Sequence, residues 1–168
     1  MAWKKSQLFA SIQASIKNYV ENNQKIPIII FDEAHFLKNE NFWELQIISN
    51  FNLDSTDPAI FILIGQPHLK DRLLSPLHQA FYQRITLKFH LSPLSKDETN
   101  SYIQHHLKYA GATSVLFNPN AISAIYQASN GIPRVINSIA LNALTIGALE
   151  SKEAISEEEI YRAVKEVL

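Results

Sequence analysis

Two adjacent carboxylates, Asp32 and Glu33, close the apolar run Ile28-Ile29-Ile30-Phe31. An acid at the tip of an apolar strand sits unpaired beside a dry core unless a ligand or hydrogen bond engages it. Phosphoryl-transfer chemistry supplies such a ligand. There, one carboxylate holds the Mg²⁺ shell of ATP, and a second orients and polarises the attacking water. Asp32 fits the first role and Glu33 the second. The same pair also fits an acidic loop, with Asp32 capping a helical segment that begins at Glu33.

A second apolar run, Phe61 to Ile64, ends at Gly65-Gln66. In a parallel sheet the strand C-termini share one edge, and ligands bind there. The Gln66 amide, donor and acceptor at once, suits a γ-phosphate or the lytic water. It equally suits an ordinary turn leading into Pro67. The arginines are sparse, Arg72, Arg84, Arg134 and Arg162. Arg134 follows Pro133 at a helix start, where the positive helix end and the guanidinium together favour a terminal phosphate. Arg84 opens an alternating segment and could reach a neighbouring subunit's nucleotide. A surface salt bridge is the alternative for each. Asp32, Glu33, Gln66 and Arg134 are expected to meet at one rim, where a triphosphate tail could rest. The six histidines show no metal-ligand spacing and read as surface or interface residues. No nucleophile-elbow motif occurs.

The elements that must position these residues follow from periodicity. Leu8, Phe9, Ile12, Ile16, Tyr19 and Val20 recur at helical spacing. Ile26 to Phe31 and Ala59 to Ile64 read as strands buried on both faces, as in parallel sheets. A helix over the Trp43–Phe51 region lies between them, followed by a loop from Asn52 to Pro58. Pro67 and Pro76 open two short helical pieces. Arg84 to His90 alternates as an edge strand would. From Ser92 the period is helical: capping boxes at Ser95/Glu98 and Ser156/Glu159, an N-cap at Asn118 with Pro119 behind it, and stops at Gly111 and Asn130-Gly131. The composition shift predicts an α/β part over residues 1–91 and a four-helix part over 92–168.

The bulk properties exclude little else. At 168 residues and 46% hydrophobic, one sizeable core with an appendage is possible. A net charge of −1 advertises neither nucleic acid nor anionic lipid, and the lack of cysteine removes disulfides and thiolate metal sites. The N-terminus shows no secretory h-region and no run reaches transmembrane length, so a cytosolic protein is expected.

Four segments in order, IIIFDEAHFL (28–37), LIGQPHLKDRLL (63–74), QRITLKFHLSPL (83–94) and GIPRVIN (131–137), are distinctive together. They resemble AAA+ ATPases of the ExeA type, the general secretion pathway A proteins, and their TnsC-like transposition-helper relatives, from about Leu8 to the C-terminus. The resemblance implies a P-loop NTPase α/β fold: a five-stranded parallel sheet followed by a C-terminal α-helical lid bundle. It implies ATP and Mg²⁺, with Asp32 and Glu33 as the Walker B pair, Gln66 near sensor 1, Arg134 as sensor 2 and Arg84 as arginine finger. Sensor 1 is more usually Asn or Thr in that superfamily. No Gly-x-x-x-x-Gly-Lys-[Ser/Thr] loop occurs in this sequence. The chain therefore reads as the portion from Walker B onward, expected to hydrolyse ATP poorly or not at all alone. An incomplete sheet would close its gap, exchange strands with another copy, or dimerise along an edge.

The expected setting is a homo-oligomer in a secretion or transposition assembly, with DNA or a secretion protein as partner. Two other readings remain. Asp32-Glu33-Ala34-His35 spells a DEAH-box helicase motif, although no Ser-Ala-Thr follows and the second half is helical. A non-enzymatic protein- or DNA-binding domain would tolerate the lack of a phosphate loop.

Overall fold

The computed structural model describes residues 4–51 and 55–167. The expectations for Met1–Trp3, and for the loop from Asn52 to Asp54, fall outside the described residues. The chain divides into two compact units, Met1–His90 and Leu91–Leu168.

In the first unit, helix α1 (Lys5–Asn23) precedes strand β1 (Ile28–Phe31), helix α2 (Asn39–Ile48) and strand β2 (Ile60–Leu63). Short helices α3 (His68–Leu74) and α4 (Gln79–Arg84) follow. The β-branched isoleucines favour extended backbone, and the α2 crossover is long enough to return the chain in parallel. β1 and β2 pair in parallel, from Ile28 opposite Ile60 to Phe31 opposite Leu63. Gln13 ties α1 to the end of α2, its amide donating to the carbonyls of Ile47, Ile48 and Asn50 at 3.1, 3.2 and 2.8 Å. Ile47 and Ile48 lie in the last turn of α2, where Ile47 also accepts from the Asn50 N–H at 3.3 Å, so the Gln13 amide reinforces the helix end as well as anchoring it.

Two strand expectations are corrected. The strands were expected to be buried on both faces, but only one face is covered. Phe31 and Leu63 pack against Phe42, Leu45, Leu69, Leu73 and Phe81. On the opposite face Ile28 and Ile30 are 58% and 56% exposed, and Ile60 and Ile62 are exposed beside them. The continuous apolar run reports a sheet with two apolar faces, of which this chain covers one. The edge strand expected over Arg84–His90 is absent too. Helix α4 runs through Arg84 because Phe81 and Tyr82 dock on the core cluster. Past Ile85 the chain has no ladder to join, and Leu87 and Phe89 stand 88% and 89% exposed. Extended backbone without a neighbouring strand satisfies its polar groups with water instead. The described sheet has two strands, a part of the five-stranded sheet that the resemblance implies.

Arg72, on α3, fastens the turn that leaves β1. Its guanidinium donates to the carbonyls of His35 and Leu37 at 2.7 and 2.8 Å, and to Asn39 Oδ1 at 3.0 Å. Its carbon lies 5.2 Å from the Phe42 ring centre. The planar fork suits this task because it reaches several acceptors in one plane while stacking on an aromatic face. His78, buried, places Nε2 3.1 Å from the same Asn39 oxygen. Burial, and then the nearby Arg72 charge, hold the His78 pKa below its usual range.

The second unit is helical: α5 (Lys96–Tyr109), α6 (Pro119–Ser129), α7 (Pro133–Leu149) and α8 (Glu157–Val167). Ile103, Phe117, Ile125, Ile136, Ile139 and Ile160 form its core. The Ser95/Glu98 capping box opens α5, and Pro119 and Pro133 take first-turn positions. Asn118 occupies the N-cap position of α6, but its side chain makes no capping bond. Between α6 and α7 Gly131 adopts φ +73°, and a Cβ there would lie 1.9 Å from the Leu94 carbonyl oxygen. Only glycine fits that approach. Among the described residues no helix is long and apolar enough to cross a membrane.

The Ser156/Glu159 pairing becomes a buried network. Glu159 is fully buried, and its carboxylate accepts from the Ser156 backbone N–H and hydroxyl at 2.8 and 2.7 Å and pairs with Lys152. The Lys152 hydrogen bond, followed by the Ser156 hydroxyl, lowers the Glu159 pKa to about 2 against the opposing effect of burial.

Two outcomes are expected. The depressed pKa gives stability that is present above the ordinary carboxylate value of 4.5 and is lost as pH falls from there toward about 2. Glu159→Gln should cost about 2 kcal/mol at neutral pH and flatten the acid limb of the stability curve, read by urea unfolding at stepped pH; parallel curves for the two proteins would contradict the assignment. Arg72→Ala should cost about 3 kcal/mol, because it strips charged donors from the carbonyls that follow β1. Hydrogen exchange should quicken over Ala34–Asn39, and unchanged exchange there would contradict the clamp.

Candidate functional site at the strand tips

The parallel register decides where the chemistry lies. Because Phe31 stands opposite Leu63, the residues that leave β1 and β2 emerge together on one edge. The pairing extends past the strands: Ile64 N–H donates to the Phe31 carbonyl at 2.9 Å, and Ala34 N–H to the Ile64 carbonyl at 2.7 Å. Asp32 and Glu33 therefore form a two-residue bridge at the tip of β1, held at both ends by the tip of β2.

Asp32 is exposed and its Oδ1 accepts from the Glu33 N–H at 2.8 Å, leaving Oδ2 toward solvent or a ligand. Glu33 takes φ +52° and ψ +35°. That left-handed conformation costs a non-glycine residue on the order of 1 kcal/mol and recurs at functional sites. The chain then enters a short 3-10 turn, Ala34–Phe36, which buries His35. Glu33 Oε2 lies 3.2 Å from His35 Nδ1. Gln66 directs its backbone N–H at the same nitrogen, at 3.4 Å. Gly65 lets the two tips approach closely: a Cβ at this position would sit 3.2 Å from the His35 backbone nitrogen and 2.8 Å from Leu69 Cδ2.

Of the residues singled out from the sequence, the structure brings together Asp32, Glu33 and Gln66. Arg84 is on another element, half-buried at the end of α4 rather than on a strand. Arg134 is exposed in the first turn of α7, in the second unit. Among the described residues no cluster of three or more His, Asp or Glu could hold a metal ion. Mg²⁺ commonly takes only one or two protein carboxylates and completes its shell with water and phosphate oxygens. The free oxygen of Asp32 is a suitable donor for that arrangement.

Sequence reasoning missed His35 and Arg72. The histidines were expected at surfaces or interfaces, yet His35 and His78 are 7% and 2% exposed. No spacing rule marks His35, because its neighbours Gln66, His68 and Arg72 come from a segment 31 or more residues away. One signal was available: Gly65, just past the end of β2, marks a place where the backbone of the neighbouring tip approaches closely.

The AAA domain family matches residues 4–73. The chain is 34% identical to general secretion pathway protein A of Aeromonas hydrophila over 143 residues, covering 85% of this chain and 26% of that protein. The fold resembles Cdc6p from Pyrobaculum aerophilum, with a TM-score of 0.70, 15% identity, and coverage of 94% of this chain and 43% of that one. It also resembles the ORC2 protein of Aeropyrum pernix, solved as ADPNP–ADP complexes, with a TM-score of 0.68, 16% identity, and coverage of 92% and 42%. The chain thus spans about a quarter of its secretion-pathway relative and under half of these structural neighbours. The paired strand tips, the helical second unit and these likenesses agree: the chain has the fold of the P-loop AAA+ ATPases, and the AAA domain match falls within its first unit.

Proposed function

We propose that this chain supplies the Mg²⁺ and water side, together with the helical lid, of an ATP-binding and ATP-hydrolysing AAA+ module. The observation that carries the reading is the parallel register, which sets Asp32, Glu33 and Gln66 on one strand edge. In this reading Asp32 contributes its free carboxylate oxygen to the Mg²⁺ shell. Glu33, exposed and only one residue further, accepts the hydrogen bond of the attacking water and draws off proton character as the water attacks. Gln66 offers its side-chain amide to the γ-phosphate. Arg134, in the first turn of α7, adds a guanidinium to a helix N-terminus, a pairing suited to a phosphate tail. Arg84 serves as the finger that reaches a neighbouring copy's nucleotide. Bound Mg²⁺, held through Asp32, would supply Lewis-acid neutralisation of the charge that develops during phosphoryl transfer.

The sequence contains no glycine-rich phosphate loop, so phosphate cradling is not among the tasks given to its residues. Tight binding by this chain alone is not expected. The similarity to general secretion pathway protein A supports a role in a secretion assembly. A homo-oligomer follows from the finger role assigned to Arg84.

Isothermal titration of the chain with ATP should show weak, roughly millimolar affinity that requires Mg²⁺. Asp32→Asn should remove the Mg²⁺ requirement, and Arg134→Ala should weaken binding about tenfold. Absence of binding, or binding indifferent to both substitutions, would favour a protein-binding role in which these residues are ordinary surface groups.

A further inference from the structure

The His35 ring is held by neighbours from its own turn and from α3. Arg72 holds its carbonyl at 2.7 Å, Phe36 stacks at 4.2 Å between ring centres, and His68 meets it edge-on at 4.8 Å. A Cβ at position 65 would lie 3.2 Å from its backbone nitrogen. A ring so held cannot turn away from its neighbours without repacking the turn. Its Nδ1 nevertheless faces two groups with opposite demands. The Glu33 carboxylate, 3.2 Å away, accepts hydrogen bonds and needs a hydrogen on Nδ1. The Gln66 backbone N–H, 3.4 Å away, donates and needs Nδ1 bare. One imidazole nitrogen meets only one of these demands at a time.

We propose that His35 is a positioning residue that couples Glu33 to Gln66 through this single nitrogen. When Nδ1 carries the hydrogen, it donates to Glu33 and draws the carboxylate back over the turn, while the Gln66 N–H loses its acceptor. When Nδ1 is bare, it accepts from Gln66, and Glu33 swings out toward solvent and the edge where Asp32 lies. The proton is relocated between the two ring nitrogens through solvent, and no bond to carbon or phosphorus changes. This rests on the reading of Glu33 as the residue that polarises water and of Gln66 as the residue at the γ-phosphate. Under that reading, movement of the β2 tip toward a phosphate alters what Nδ1 can accept, and so releases or retains the base. His68 is the titratable side chain that faces the ring from α3, with the Arg72 charge behind it on the backbone. The left-handed backbone of Glu33 fits the same scheme, since it aims the side chain back along the turn toward His35.

The test uses the intact chain with ¹⁵N-labelled histidine, whose ring nitrogens report directly which one carries hydrogen. Glu33→Ala removes the carboxylate without touching the buried ring. His35 should then shift to bare Nδ1, and exchange of the Gln66 amide should slow roughly threefold to tenfold, as expected when one hydrogen bond gains occupancy. His35→Phe, which keeps an aromatic ring in the slot, should speed Gln66 exchange by a similar factor, with a thermal melt confirming that the unit is folded. If His35→Phe does not fold, the Glu33→Ala spectrum decides alone. Unchanged ring nitrogens and unchanged Gln66 exchange in Glu33→Ala would overturn the coupling. Adding Mg²⁺-ATP to the same samples tests the underlying reading separately. No response at Asp32 or Gln66 would count against ATP as the ligand while leaving the measured coupling intact.

Discussion

The short parallel ladder between β1 and β2 is the constraint on which the site depends. A parallel pair sends both chains out of the same edge, so polar residues 31 or more positions apart in sequence become neighbours. An antiparallel pairing would have put Asp32 and Gln66 at opposite ends. The ladder does not stop with the regular strands: the Ala34 and Ile64 backbones continue it, and Asp32 and Glu33 must turn between two fixed hydrogen bonds. The left-handed backbone at Glu33 is the local consequence. Its cost is offset by the buried turn that follows, held by Arg72 and packed through Ala34 and Phe42.

Much of this was legible in the residues, for reasons particular to each element. Ile28–Phe31 and Ile60–Leu63 read as strands because β-branched runs bounded by polar breaks have few other uses, and both formed. The helical second half was legible from its caps: Ser95 with Glu98, Pro119, Pro133 and Asn130-Gly131 all mark real helix ends. The segment after Arg84 misled, because Ile85, Leu87 and Phe89 alternate as a strand does while only Ile85 finds a partner surface. Alternation records what a segment could pair with, and pairing needs a neighbour that these residues do not have. Burial of both sheet faces misled for the same reason. Of the candidate site, the placement of the acids and Gln66 at one strand edge was readable, because position relative to a strand decides it. His35 and Arg72 were not, since their roles depend on contacts that arise only once α3 docks behind the β1 tip.

The isoleucines of the open sheet face bear on behaviour in solution. Ile28, Ile30, Ile60 and Ile62 lie on neighbouring strands with their side chains on one side, and a contiguous apolar surface of this kind favours association. AAA+ proteins often assemble into oligomers, and the roles proposed for Arg84 and Arg134 both require residues outside the strand tips to approach one nucleotide. Under the proposed function, weak binding by the separate chain and assembly-dependent hydrolysis are two expressions of one design. In that proposal the strand edge holds the metal and water chemistry, and the remaining contacts to phosphate come from elsewhere.

The most direct test of the central claim is paramagnetic. Mn²⁺-ATP titrated into the ¹⁵N-labelled chain broadens backbone amides according to their distance from the metal. The account predicts selective loss of signal at Asp32, Glu33, Gly65 and Gln66 at substoichiometric Mn²⁺-ATP, with the Ile28 end of β1 unaffected. Broadening centred on residues away from the strand tips, with these four amides intact, would contradict it.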